Sequence, residues 1–126
     1  MGTVLLVEDD DCTREMLCII LRAQNFTVSC HGNGDEALAR FCESPPDVVV
    51  SDVHMPEMSG IEFVKRIRQL DSVIPIILMT GLPDSDVLQA AIRNRVSEVI
   101  VKPFQHSRLI AVIRSVLAYR EVLHPL

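Results

Sequence analysis

Five short apolar runs, each closed by a polar residue and followed by an amphipathic stretch, recur along the chain. That alternation limits its fold more than any other feature. The runs fall at 3–7, 26–30, 47–51, 75–79 and 98–101. Their Val, Ile and Leu residues are nearly continuous, the pattern of strands covered on both faces. Between them apolar residues return at helical spacing: Met16, Leu17, Ile20 and Leu21, then Ile61, Phe63, Val64 and Ile67, and finally Leu109, Ile110, Ile113 and Leu117. Helices are expected over 13–24, 35–43, 61–70, 85–94 and 107–121. Asn33 and Ser59 stand where N-caps belong, and Pro45-Pro46 stops the second helix. Strict strand–helix alternation predicts an α/β, doubly wound fold: a five-stranded parallel sheet with five helices on its two faces.

Such sheets bind ligands beyond the carboxyl ends of their strands. The first strand ends there in Glu8, Asp9, Asp10 and Asp11, with no basic residue before Arg14. Carboxylates crowded at one strand end repel: at about 5 Å and an effective dielectric near 20, one pair costs about 3 kcal/mol. A hard divalent cation with oxygen ligands relieves that repulsion. The third strand ends in Asp52, the fourth in Thr80-Gly81 and the fifth in Lys102-Pro103. A carboxylate beside a divalent cation can attack phosphorus and form an aspartyl phosphate. The phosphoryl oxygens are then neutralised by metal and Lys, and hydrogen-bonded by a Thr hydroxyl and the Gly81 N–H. Asp52, held by an apolar strand, is the best nucleophile.

The chain's 126 residues suit one domain, and 48% hydrophobic content supplies one core. A net charge of −5 argues against direct nucleic-acid contact. Lys65, Arg66, Arg68, Arg93 and Arg95 read as solvated helix faces. Cys12, Cys18, Cys30 and Cys42 show no C-x-x-C spacing, which excludes the usual zinc and thioredoxin-like patterns. With neither a secretory signal nor a bilayer-length apolar stretch, reduced thiols, a cytoplasmic location and no membrane contact are expected.

The chain resembles the response-regulator receiver domains of two-component signalling over positions 3 to about 120. The resemblance rests on Val7-Glu8-Asp9, Ser51-Asp52-x-x-Met55-Pro56-x-Met58-x-Gly60, Met79-Thr80-Gly81 and Val101-Lys102-Pro103-Phe104. Together, in this order and on matching elements, the four are highly specific. The resemblance implies the flavodoxin-like strand order 2-1-3-4-5. It implies a receiver domain over 1–121, with 122–126 a tail or the start of a linker. It makes Asp52 the phosphoacceptor, with Thr80 and Lys102 contacting the phosphoryl group. Mg²⁺ would be held by Asp9, Asp52 and the backbone carbonyl of His54, with Glu8 acting through water. A cis Lys102–Pro103 bond is also implied.

The expected function is a signalling switch rather than a true enzyme, promoting its own phosphorylation and dephosphorylation. Its partners are a histidine kinase or phosphotransfer protein. A surface of fourth helix, fifth strand and fifth helix would serve a second copy or an output domain. Val99 stands where many members carry Tyr or Phe, so either Thr80 moves alone or the signal leaves by another route. His54 and Leu82 flank the expected path of the attacking water, and bulky Leu82 should slow hydrolysis.

Other functions fit less well. A nucleotide-binding enzyme needs a Gly/Ser/Thr-rich loop where this chain has Glu-Asp-Asp-Asp. A haloacid-dehalogenase-type phosphatase needs a second acid where Asp52-Val53-His54 has none. An unphosphorylated interaction module would not need the full set of five residues.

Overall fold

The computed structural model describes residues 2–123. Among these, strands and helices alternate throughout: β1 (Thr3–Val7), α1 (Asp11–Ala23), β2 (Thr27–His31), α2 (Gly34–Glu43), β3 (Val48–Asp52), α3 (Gly60–Leu70), β4 (Ile76–Thr80), α4 (Ser85–Arg93), β5 (Glu98–Val101) and α5 (His106–Leu123). All strand pairings are parallel and the order is β2-β1-β3-β4-β5. The expected architecture is the observed one. β2, β3 and β4 each begin and end one residue later than the apolar runs suggest, because the ladder closes on a polar residue at each carboxyl end.

Successive strand residues supply opposite faces. Val4, Leu6, Val48, Val50, Ile77, Met79 and Ile100 pack beneath α1 and α5, against Leu17, Leu21, Leu109 and Ile113. Leu5, Val7, Val49, Ile76 and Leu78 form the other layer, with Phe41, Phe63, Val64 and Ile67. Each helix before α5 starts on a side chain that accepts a backbone N–H: Asp10, Asn33, Ser59 and Asp84. Each caps one orphan donor at a strand-to-helix turn, so the loops above the sheet's carboxyl edge are short and held.

Three expectations are corrected. The buried stripe of α1 is Leu17, Cys18 and Leu21, whereas Met16 is exposed. The small Cys18 fills the layer over β2, which turns the helix and swings Met16 out. Cys18 and Cys30 form a disulfide rather than remaining thiols. β2 returns beside β1 directly under α1, leaving their Cα atoms 6.6 Å apart. Cys12 and Cys42 are free and exposed. Arg68 does not lie on a solvated face: it is half-buried and donates to the carbonyls of Asn94, Asp71 and Arg95. It thereby ties the carboxyl ends of α3 and α4 together. Helix α5 runs to Leu123, past the expected end of the domain, and positions 124–126 lie outside the described residues.

Candidate functional site

Strand parity assembles the site. Glu8 continues the series Val4, Leu6; Asp52 continues Val48, Val50; Lys102 lies two past Ile100. All three therefore leave the sheet toward the α1–α5 side at its carboxyl edge. Lys102 Nζ lies 2.9 Å from Glu8 Oε1 and 3.2 Å from Asp52 Oδ1. Ligand oxygens of Glu8, Asp9 and Asp52 lie within 4.8 Å of one another. Glu8 and Asp52 are buried and Asp9 is exposed, so the cluster opens to solvent on one side.

Only two of the four consecutive acids after β1 belong to the cluster. Asp10 accepts from the Thr13 N–H at 2.9 Å and its hydroxyl at 2.6 Å, capping α1. Those bonds hold the Asp10 carboxyl below its usual pKa. Asp11 pairs with Arg14 at 2.6 Å. The other face of Arg14 donates to the Glu8 carbonyl at 3.0 Å, pinning the loop that carries Glu8 and Asp9. Arg14, a positioning residue, carries almost no local signature. Its only signal is that it is the first base after the acids, one helical turn on from Asp11.

The electrostatics of the centre are unbalanced. Burial, then the neighbouring Glu8 charge, pushes the Asp52 carboxyl from 3.8 up to about 7 against the pull of Lys102. Burial works against the Lys102 ammonium, but its hydrogen bond to Glu8 and the charges of Asp52 and Glu8 outweigh this and raise its pKa. One ammonium thus serves two buried carboxylates. The oxygen-only donor set and the residual repulsion on Asp52 are what a hard divalent cation fits.

Short backbone contacts hold Asp52. Its Oδ1 accepts from the Val53 N–H at 3.1 Å, and its carbonyl accepts from the Ser51 hydroxyl at 2.9 Å. The α3 N-terminus comes close beneath: Gly60 N donates to the Val53 carbonyl at 2.7 Å, and a Cβ on Gly60 would collide with the Asp52 carbonyl. Close approach, not positive φ, requires glycine here.

Thr80 is fully buried, and its Oγ1 accepts from the Leu82 N–H at 3.0 Å, leaving its hydroxyl proton to be donated elsewhere. The Lys102–Pro103 bond is cis, and Lys102 N donates to the Thr80 carbonyl at 2.8 Å. Nothing crowds the Cβ direction of Gly81 within 4 Å. His54 is exposed in the loop after β3, its ring outside the acid cluster. Leu82 turns outward, 64% exposed, so it covers less of the mouth than its bulk suggests. Val99 is partly buried beside the α2–α4 layer.

The model of the response regulator receiver domain family matches residues 4–114. Regulatory protein AtoC of Escherichia coli is 35% identical over 117 residues, covering 93% of this chain and 25% of AtoC. The DNA-binding response regulator MtrA of Mycolicibacterium smegmatis is 34% identical over 118 residues, covering 94% of this chain and 51% of MtrA. The chain thus spans a quarter to a half of the length of these curated relatives. Among solved structures, the Vibrio cholerae chemotaxis protein CheY4 superposes with a TM-score of 0.87 at 32% identity, covering 92% of this chain and 98% of that one. With the strand order, the acid cluster and the Lys102 bridge already in place, these likenesses lead to one conclusion: the chain belongs to the response-regulator receiver-domain family.

Proposed function

We propose that the chain is a phosphoacceptor switch in which Asp52 takes a phosphoryl group from a histidine kinase or phosphotransfer protein. The observation that carries this reading is the single Lys102 ammonium bridging Glu8 and Asp52, beside Asp9, at the sheet's carboxyl edge. An Asp52 oxygen attacks phosphorus, an Asp52 O–P bond forms, and the P–N bond to the donor histidine breaks with its electrons returning to the imidazole. Packing and the Val53 N–H hold the attacking carboxylate in place. Lys102 can turn from Asp52 to the new phosphoryl oxygens, and the Thr80 hydroxyl and Gly81 N–H can donate to them.

Glu8, Asp9, Asp52 and the His54 carbonyl would hold Mg²⁺, with Glu8 acting through water. The ion would supply positive charge for the phosphoryl oxygens and draw the Asp52 proton equilibrium back toward carboxylate. Hydrolysis of the acyl phosphate resets the switch. This is catalysis only on the domain's own group.

Exposed Leu88, Ile92 and Val101 lie on α4 and β5, the surface through which we propose that a second copy or an output domain is engaged. Val99 in place of an aromatic residue leaves buried Thr80 as the element that couples Asp52 to that surface. The charge of this chain speaks only for the chain. MtrA is a DNA-binding response regulator, so a nucleic-acid-binding partner region is compatible with this role.

Among the described residues, no helix is long and apolar enough to cross a membrane. We place the domain in the cytoplasm, as its family suggests.

Incubating the protein with acetyl phosphate and Mg²⁺ tests the proposal by intact-mass measurement. One added phosphoryl mass is expected, abolished by Asp52→Asn. A phosphorylated Asp52→Asn protein would show that another residue is the acceptor.

A further inference from the structure

At the opposite edge of the sheet from Asp52, a cleft of about 570 Å³ opens between the carboxyl ends of α3 and α4, the start of β5 and the last turns of α5. Arg68, Arg95 and Arg120 line it, against a single carboxylate, Glu98. That balance is the reverse of the chain's net charge of −5. Glu98 is already met by Arg108 at 3.7 Å. Arg120 is turned toward Asp47, donating to its carbonyl at 2.7 Å. Arg68 is taken up by three carbonyls at the helix ends. Its guanidinium explains how the cleft is built, and burial together with the adjacent Arg95 charge lowers its pKa.

Arg95 has no comparable task. Among the described residues, its one side-chain bond is to the Ser72 carbonyl, at 3.4 Å. Among the described residues, no carboxylate lies within 4.0 Å of Arg95 or Arg68. The backbone at Arg95 is left-handed, with φ 54°, a conformation that disfavours every residue with a Cβ by roughly 1–2 kcal/mol. A helix terminus needing that conformation is better served by glycine. Here it carries a guanidinium instead, exposed beside a second one. Across the cleft stand Val73 and the Tyr119 ring, 64% and 66% exposed.

We propose that this cleft binds a phosphate monoester bearing an aromatic group. Arg95 would take the phosphate, since a planar guanidinium matches its oxygens in pairs. Arg68 would add field, and the Ser72 and Ser97 hydroxyls would lie within the same wall. Tyr119 and Val73 would cover the ring. The site is separate from the Asp52 chemistry and does not depend on it.

The test uses the full chain, isotope-labelled, with EDTA present so that no metal bridges an anion to the acid cluster. AMP and inorganic phosphate are the probes, followed by NMR. Amide shifts are expected at Ser72, Arg95, Ser97 and Tyr119, with AMP at least tenfold tighter than phosphate. Arg95→Gly should match or exceed wild-type thermal stability, because it relieves the left-handed backbone, while weakening AMP at least tenfold. Tyr119→Ala should bring AMP down to the level of phosphate. Asp52→Asn should bind AMP as wild type does, which separates failure here from failure of the phosphoacceptor reading. Shifts confined to the acid cluster, no shift at millimolar AMP, or unchanged affinity in Arg95→Gly would overturn the proposal.

Discussion

Lys102 Nζ reaches Glu8 Oε1 at 2.9 Å across 94 residues of sequence. β1 and β5 are not neighbours, since β3 and β4 lie between them. The long lysine side chain spans that gap and draws the two ends of the site together. Glu8 is 1% exposed, so the ammonium compensates a carboxylate almost wholly withdrawn from bulk solvent.

Removing that compensation should be felt before any phosphoryl group arrives. Lys102→Ala should lose about 2 kcal/mol of metal-free stability, between the values for exposed and fully buried pairs, because Lys102 itself is 30% exposed. Saturating Mg²⁺ should restore most of it. Urea denaturation with and without Mg²⁺ measures both. An unchanged midpoint without metal would mean that the bridge contributes nothing.

The raised pKa of Asp52 sets a pH dependence of opposite sign to that of most acids. Its folded value, about 7, lies above its ordinary 3.8, so the folded state binds the proton more tightly than the unfolded chain does. This group's contribution is therefore most favourable below pH 4 and is lost as pH rises through about 7. Metal-free wild type should fall in stability across that window relative to Asp52→Asn, which should be the more stable protein at pH 8. Parallel stability-versus-pH curves for the two would contradict the assignment.

Asp9 differs from its neighbours in being exposed, so deleting its carboxylate removes a ligand without opening the core. Asp9→Ala should keep its metal-free stability within about 0.5 kcal/mol. It should also lose the rise in melting temperature that saturating Mg²⁺ gives wild type. A full Mg²⁺-induced shift in this variant would exclude Asp9 as a ligand.

Gly60 packs its α-carbon against the backbone of Asp52 and Val53. Because the obstacle is main chain, a methyl group cannot be accommodated by a rotamer change. Gly60→Ala should cost on the order of 1–3 kcal/mol. It should also slow phosphorylation by acetyl phosphate, because relief requires shifting the strand end that carries Asp52. Wild-type stability and rate together would show that the α3 terminus yields freely.

Much of this molecule is local in origin. The continuous Val48-Val49-Val50 run and the helical spacing of Phe63, Val64 and Ile67 specify strand and helix through side-chain period alone. The caps at Asn33 and Ser59 were legible for the same reason, since a cap involves residues three apart. Asp10 was not, because a third acid in a row looks like a ligand until its bond to the Thr13 N–H is seen. The rotation of α1 that exposes Met16 was hidden as well, since periodicity ranks Met above Cys as a core residue.

The alternation of elements, and with it the parallel sheet and the strand ends that carry Glu8, Asp52, Thr80 and Lys102, is written in the order of residues alone. These follow from near-neighbour chemistry and the two-residue period of a strand. Packing in three dimensions sets which acids face one another, that one ammonium serves two buried carboxylates, that Cys18 meets Cys30, and that Arg68 caps two helices while Arg95 is left beside an open cleft. Each of those depends on distances between elements far apart in the chain. Such distances are set by how the layers pack, and no local pattern encodes them.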